Sequence, residues 1–388
     1  MPVSWGELRR SDEQTTGLTP GRAALLWLVF FLICLGLGYA PLNRYDPRQV
    51  RGTSDVAAYW NIVVGNPPRP TAHAGAALAG LTRFEHYYRL LVPYVAKPFY
   101  WLATGRVRSW DAALLGLLLA NAIFTASTAT LLVAMARRWG ADTSTALLSA
   151  ALFLLNYGVI NFYLVGMVDS AEACFLLTIA WSLLTSRWFL LPLWGVFGAL
   201  AKETFAPIAV MFALGWWVSE MRRDRLELRR LAWAGALGVT SLGTVTITMS
   251  TVVRRLVWPW QFGALMHGAS NFLASLCGCL LDHTFWYIFI WLLPLGLLRL
   301  GRLPRSWVMA TAVAFCGTLA IGAYHDMGDT ARPLFNVAGP ILSLSAAIFL
   351  AGSSKTQPHL PQSTAAEPNR RPATDGDPGS TVASQGQD

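Results

Sequence analysis

Long apolar runs separated by short polar connections dominate the pattern of this chain. Runs such as 23–40, 112–136 and 231–250 approach or exceed the roughly 20 residues that a helix needs to cross the hydrocarbon core of a bilayer. These runs are too numerous to form the single core of a soluble domain. The pattern therefore predicts an all-α, polytopic membrane protein with about ten transmembrane helices.

The predicted spans begin with a retained first helix, because no small-residue cleavage site follows the first apolar run. The spans are predicted at 23–40, 112–136, 144–159, 169–184, 188–201, 204–218, 231–250, 285–298, 307–323 and 334–350.

The predicted domain organisation has three parts. Residues 1–22 form a cytoplasmic N-terminal segment, 23–352 the transmembrane domain, and 353–388 a disordered cytoplasmic tail that has too few large apolar residues to fold alone. Within the transmembrane domain, 41–110 is a long external loop. Its aromatic stretch 87–102 predicts interfacial helices, which Pro93 and Pro98 keep short or broken.

Composition and charge agree with a membrane environment. Hydrophobic residues make up 54% of the chain and charged residues 13%, about half of what a soluble domain carries. The formal charge of +9 lies mainly at the ends of apolar runs, which favours a membrane-orientation role over nucleic-acid binding. Fifteen Lys and Arg residues fall in the connections on one side and four on the other, so we predict both termini in the cytoplasm and a location in the cytoplasmic membrane.

Conspicuous polar residues gather on the predicted external side, where they are candidates for one shared cavity. Ionisable groups at a membrane edge are costly to keep and are functional candidates by default. The residues concerned are Asp46, Asp55, Glu85, Asp169, Lys202, Glu203, His325, Asp326, Asp329 and Arg332.

Two aspartates of the first external loop have competing interpretations. Asp55 lies near the start of a predicted helix, with Tyr59 one turn further on the same side, so Asp55 is either a helix cap or a catalytic carboxylate. Asp46 precedes Pro47, which is typical of a turn, and is the second candidate carboxylate.

The turn at Lys202 and Glu203 separates two apolar helices. Its two charges are either a neighbouring ion pair or, through Lys202, a contact to a lipid phosphate. Asp169 and Glu172 start the helix after another external turn, where carboxylates suit the helix dipole.

The connection before the last span is dense in polar groups. Arg332 offers a planar donor fork suited to phosphate, or it forms a salt bridge with Asp326 or Asp329. His325 beside these aspartates leaves a divalent metal open, but no metal-binding spacing supports one, so we predict no metal site and no cofactor.

These elements resemble those of bacterial GT-C glycosyltransferases, multi-spanning enzymes that use polyprenyl-phosphate-linked sugars outside the cytoplasmic membrane. The resemblance covers most of 23–350. It is carried by the acidic residue and tyrosine in 55–59, by the stretch 86–93 with Arg89, by the turn 201–204 and by the segment 328–332. No soluble acceptor-recognition domain follows the membrane part, which favours a lipid, glycolipid or membrane-near glycan acceptor.

The resemblance implies an inverting hexosyl- or pentosyltransferase with no covalent intermediate. Asp55, or Asp46 in its place, would take the proton of the acceptor hydroxyl, and Lys202 and Arg332 would stabilise the departing phosphate. The other residues that the resemblance places in substrate binding are Tyr59, Arg89, Asp169, Glu203, His325 and Asp329. The expected partners are the polyprenyl-phosphate-linked donor, the acceptor and membrane lipids. The alternatives are a lipid-linked glycan flippase or transporter and a non-catalytic membrane scaffold.

Overall fold

The computed structural model describes residues 18–44, 54–66, 86–107, 110–221, 228–259, 261, 271–325 and 330–352. All regular secondary structure in these ranges is helical, which confirms the all-α prediction. The predicted site residues Asp46 and Asp329, most of the segment 1–22 and the tail 353–388 lie outside the described residues.

The described chain forms α-helices joined by short connections, three of which contain 3₁₀ turns. The α-helices are α1 (Pro20–Arg44), α2 (Ser54–Val64), α3 (Leu91–Ala103), α4 (Ala112–Arg138), α5 (Thr143–Leu154), α6 (Tyr157–Asn161), α7 (Asp169–Leu184), α8 (Leu191–Ala201), α9 (Phe205–Met221), α10 (Leu228–Val253), α11 (Phe272–Leu281), α12 (His283–Phe289), α13 (Leu292–Leu297), α14 (Arg305–Tyr324) and α15 (Ala331–Leu350). The 3₁₀ turns are Tyr163–Val165, Trp188–Leu190 and Leu300–Arg302.

Five helices in the described residues are long and apolar enough to cross a membrane, as expected of a helical membrane protein. They are α1, α4, α10, α14 and α15, and two bent helix pairs raise the number of candidate spans to seven. The predicted count of about ten is not confirmed. The three remaining predicted spans correspond to α7, α8 and α9, which are shorter than the roughly 20 residues that the hydrocarbon core requires.

The first bent pair contains the predicted span 144–159, whereas the second overlaps the predicted span 285–298 only at residues 285–289. In the first pair, α5 ends at Leu154 and the chain bends by 45°, because the side chain of Asn156 accepts the N–H of Gly158 at 2.8 Å and starts a new helix. In the second pair, α11 and α12 meet at 51° around Asp282. The predicted span 285–298 is therefore divided between α12 and α13 rather than forming one straight helix.

The aromatic stretch before the second long helix forms α3, a short helix as predicted. Pro98 lies inside α3, and Tyr94 and Trp101 are exposed, whereas Val92 and Ala96 are buried.

The helix α3 lies directly on α4 because Gly116 of α4 has no side chain. A Cβ atom at this position would approach the carbonyl oxygen of Ala96 to 2.8 Å and the amide nitrogen of Tyr100 to 3.2 Å. Only a glycine therefore permits this packing distance.

The core forms around α4 and α15. The helix α4 packs against α1, α3, α5 and α7, and α15 packs against α5, α7 and α13. In the most apolar stretch of α15, 83% of the residues are buried inside the protein, whereas the corresponding share in α1 is 17%. The helix α15 is therefore central and α1 peripheral. The start of α15 therefore reaches the interior of the bundle.

The bundle has two ends of different character. At one end, Asp111 caps α4 and accepts a hydrogen bond from the indole of Trp60 at 3.0 Å. At the other end, the indole of Trp139 donates to the backbone carbonyl of Arg302 at 3.1 Å, next to Arg138. The helix α4 rises about 40 Å between them. Asp55, which lies on the same helix as Trp60, is therefore at the Asp111 end, opposite the basic connections.

Candidate functional site

A cluster of mostly buried charged and polar residues lies at the Asp111 end of the bundle. Its members come from α2, the turn before α3, the start of α7, the turn between α8 and α9, and the start of α15. This charged cluster consists of Asp55, Tyr59, His86, Arg89, Asp169, Glu172, Lys202, Glu203 and Arg332.

Arg89 joins three elements at the centre of the cluster. Its Nε and Nη2 atoms donate to the two carboxylate oxygens of Glu203, with Nε at 2.7 Å, and its Nη1 atom donates to the hydroxyl of Tyr59 at 2.9 Å. The backbone N–H of Leu90 donates to the carbonyl of Leu200 at 2.9 Å, which fastens the turn before α3 to the end of α8. A bidentate guanidinium–carboxylate pair of this kind has both strength and a defined geometry.

Burial and pairing act in opposite directions on the ionisation of the cluster. Burial alone raises the pKa of Glu203, but the charge and hydrogen bonds of Arg89 outweigh it and hold that pKa below its usual range. Burial alone lowers the pKa of Lys202, but Asp169 and a second carboxylate outweigh it and raise that pKa. Burial raises the pKa of Tyr59 to about 12. At neutral pH, Glu203 and Lys202 are therefore charged and Tyr59 is neutral.

Lys202 and Arg332 share the carboxylate of Asp169. The Nζ atom of Lys202 lies 2.6 Å from Oδ1 of Asp169 and 3.5 Å from Oε2 of Glu172. Nη1 of Arg332 lies 3.6 Å from Oδ2 of Asp169, and the guanidinium group lies over the ring of Phe162 at 5.4 Å. Both carboxylates occupy the first turn of α7, where the helix dipole favours negative charge.

Glu172 also organises a network that the sequence analysis did not predict. Its carboxylate accepts hydrogen bonds at 2.6 Å from the hydroxyl of Thr204 and from the side-chain amide of Asn336. Asn336 in turn accepts the hydroxyl of Tyr163 at 2.5 Å. An asparagine one helical turn after Arg332, in an apolar segment, is the sequence feature that could have indicated this network.

Asp55 pairs with His86, which the sequence analysis did not name as a site residue of its own. The Nε2 atom of His86 lies 2.9 Å from Oδ1 of Asp55, and the imidazole ring lies edge-on to the Tyr59 ring at 6.4 Å. His86 has a backbone φ of 73°. Its Nδ1 atom is buried and has no hydrogen-bond partner within the described residues.

The turn between α8 and α9 does not hold a neighbouring ion pair. Lys202 binds Asp169 on α7, whereas Glu203 binds Arg89 before α3. The alternative partners considered for Arg332, Asp326 and Asp329, lie outside the described residues.

His325 ends α14 and stacks edge-on against Tyr324 at 5.0 Å. None of its hydrogen bonds among the described residues reaches the charged cluster. Among all the residues that the structure describes, no group of three or more His, Cys, Asp and Glu side chains is placed to hold a metal ion.

No protein-family model, no curated protein and no solved structure matches this chain. The charged cluster is therefore the feature on which a functional assignment rests.

Proposed function

We propose that this protein is a membrane glycosyltransferase. It moves a sugar from a polyprenyl-phosphate-linked donor to a lipid or cell-envelope glycan acceptor on the external face of the cytoplasmic membrane. The observation that carries this proposal is the presence of a carboxylate, Asp55, and three cationic side chains, Arg89, Lys202 and Arg332, in one cluster at the end of the bundle opposite the basic connections.

The reaction requires both types of group. The acceptor hydroxyl loses its proton to a base, its oxygen attacks the anomeric carbon, and the bond from that carbon to the phosphate oxygen breaks with the electron pair leaving on the phosphate. A side-chain base and fixed positive charge near the phosphate each lower the barrier of such a step. One displacement inverts the anomeric centre.

Among the cations, we assign the phosphate role to Arg332. It lies 3.6 Å from Asp169 at the start of α15, and its planar guanidinium can bind two phosphate oxygens at once. Lys202 lies 2.6 Å from Asp169 and close to a second carboxylate, and Arg89 donates three hydrogen bonds to Glu203 and Tyr59. In this proposal, Lys202 and Arg89 mainly hold the cluster together.

The proposal retains about ten spans with both termini in the cytoplasm. The helices α7, α8 and α9 would then be spans in addition to the five long helices and two bent pairs. The ends of these helices fit this order: α7 begins at Asp169 in the cluster, α8 ends beside Lys202 of the cluster, and α9 ends next to Glu220, which pairs with Arg230 at 2.7 Å. Short spans are accommodated by local thinning of the bilayer.

Asp55→Asn tests the proposal most directly. Asn removes the ability to accept a proton but caps a helix about as well as Asp, so folding is preserved. We expect transfer from a panel of polyprenyl-phosphate-linked sugars to fall by about 100- to 10,000-fold. Asp142→Asn, which alters the cap of α5 outside the cluster, is the matched control and keeps the wild-type rate.

Two results would count against the proposal. One is transfer by Asp55→Asn at close to the wild-type rate. The other is a deletion strain whose envelope lipids and glycans show no accumulating acceptor that lacks one sugar.

A lipid-linked glycan transporter is the second candidate, and the two bent pairs favour it, because interrupted helices often form transport sites. The first break is joined to α12 of the second pair by a hydrogen bond at 3.0 Å from the side chain of Asn156 to the carbonyl of Ile288. Ionisable groups near the middle of the spans would be expected of a transporter, whereas the charged cluster lies at one end. Movement of a fluorescent polyprenyl-phosphate glycan across proteoliposomes, without any covalent change, would decide for this alternative.

A further inference from the structure

We propose that Nδ1 of His86 accepts the proton in the transfer reaction and that Asp55 orients the imidazole ring. This inference rests on the proposed function and specifies which side chain takes the proton. It differs from the simpler expectation in which the carboxylate of Asp55 contacts the acceptor hydroxyl directly.

The contact between the two side chains determines which imidazole nitrogen is basic. Nε2 of His86 lies 2.9 Å from Oδ1 of Asp55, so Nε2 carries the hydrogen that the carboxylate accepts. In the neutral ring, Nδ1 then holds the lone pair. This nitrogen is buried and has no hydrogen-bond partner among the described residues. A buried polar atom of this kind calls for a partner, and a substrate hydroxyl supplies one.

The backbone at His86 supports a functional role. A φ of 73° places a non-glycine residue in the left-handed region, which is unfavourable unless the surroundings enforce it. The N–H of Arg89 donates to the carbonyl of His86 at 3.2 Å, and Arg89 is itself held by Glu203 and Tyr59. These contacts of Arg89 therefore fix the turn that presents the imidazole to Asp55.

The charges around His86 suit a ring that gains a proton. Asp55 and Tyr59 face it from α2, Arg89 lies in the same turn, and Glu203 lies behind Arg89. Among the described residues of the charged cluster, four carboxylates stand against three cations. A proton on His86 brings this part of the cluster to neutrality, and Asp55 stabilises the imidazolium directly.

The proposed step is balanced. The O–H bond of the acceptor breaks, and its proton moves to Nδ1 of His86. The acceptor oxygen bonds to the anomeric carbon as the bond from that carbon to the phosphate oxygen breaks, and the phosphate leaves with the electron pair. His86 later releases the proton to water, so that the resting state is restored.

His86→Gln separates proton acceptance from positioning. The amide nitrogen of Gln can replace Nε2 in the contact with Asp55, but Gln cannot take a proton at neutral pH. With the full-length protein, a panel of polyprenyl-phosphate sugars and a lipid extract of the deletion strain as acceptor, we expect kcat to fall by about 100- to 10,000-fold.

Two further variants keep the test independent of folding. His86→Gly suits the left-handed backbone and opens a space for added imidazole, which should restore part of the rate. His283→Gln is the matched control, because His283 also pairs with an aspartate, Asp282 at 3.1 Å, but is exposed. Thermal unfolding of each variant reports on folding separately.

The outcomes are distinguishable. Transfer by the wild type together with a wild-type rate in His86→Gln, or a lack of rescue of His86→Gly by imidazole, overturns the inference and leaves the proposed function standing. Absence of sugar transfer by the wild type with every donor overturns the proposed function, and the inference with it. A lowered rate of His86→Gln and rescue of His86→Gly by imidazole support the inference.

Discussion

Arg89 donates two hydrogen bonds to the carboxylate of Glu203, across 114 positions of sequence. The same guanidinium group donates a third to the hydroxyl of Tyr59. One side chain therefore connects the turn before α3, the turn after α8 and the helix α2. Because these connections converge on the charged cluster, the stability of this end of the bundle and the geometry of the candidate site depend on the same contacts.

Glu203→Gln should destabilise the protein measurably. Removing one partner of a buried ion pair costs about 3–5 kcal/mol, and the partial exposure of Glu203 places the expected loss at the lower end. Thermal unfolding in detergent measures it. Glu220→Gln is the matched control: this residue pairs with Arg230 at 2.7 Å but is more exposed, so its loss should be about 1 kcal/mol or less. Equal effects of the two variants would contradict a special role of the Arg89 pair.

The contribution of Glu203 should depend on pH in a defined direction. Its pKa in the folded state lies below its usual range, because burial, which raises it, is outweighed by Arg89. The stabilisation is therefore complete above the unfolded-state pKa of about 4.3 and is lost as pH falls through the folded-state pKa. The difference in melting temperature between wild type and Glu203→Gln should stay constant from pH 7 to about 5 and shrink below about 4. A difference that is independent of pH would argue that the pair is not ionic.

Lys202→Met should lower stability, because two buried carboxylates lose the cation that lies nearest to them. Met matches the length of Lys but cannot donate, so Asp169 and Glu172 lose their closest cation. We expect a loss of about 3–5 kcal/mol. Adding Asp169→Asn to Lys202→Met should recover part of it, because one buried charge is removed. Lys97→Met on α3, whose ammonium group lies over Tyr94 at 4.1 Å, is the control and should cost about 1 kcal/mol or less. A Lys202→Met variant as stable as wild type would refute the structural role.

Arg332→Lys should weaken use of the lipid-phosphate donor. Lys retains the positive charge but loses the planar fork that can bind two phosphate oxygens. We expect a fall in kcat/KM for the donor of about tenfold, equivalent to about 1.4 kcal/mol. Arg302→Lys, at the opposite end of the bundle, serves as the comparison and should leave donor use unchanged. If both variants behave alike, the phosphate lies elsewhere.

The proposed orientation can be tested by labelling single cysteines in intact cells. After replacement of the exposed Cys277 and Cys316 by Ser, Asn66→Cys at the end of α2 should react with a membrane-impermeant thiol reagent in intact cells. Gly301→Cys, near the basic connections, should react only after lysis, because the concentration of Lys and Arg predicts that this end faces the cytoplasm. The opposite pattern would invert the topology.

The sequence by itself indicated a membrane environment and determined the all-α class of the fold. Apolar runs near 20 residues require a helix in lipid, because every backbone N–H and C=O must be satisfied internally there. The all-α class and the short helix at Leu91–Ala103 followed from that requirement and from Pro98. The count of about ten spans stays a prediction, because α7, α8 and α9 are shorter than the roughly 20 residues that the hydrocarbon core requires.

For the site, the sequence indicated which ionisable residues are costly to keep near a membrane, including Asp55, Asp169 and Lys202. Their partners were decided only by the tertiary structure. Lys202 and Glu203 are adjacent in the chain, yet they bind residues on different elements, because an extended backbone at Lys202 directs consecutive side chains to opposite sides. The local sequence shows which charged residues are costly to bury. The oppositely charged group that offsets this cost is brought into contact by helix packing and lies more than 100 residues away in sequence, as Glu203 does from Arg89.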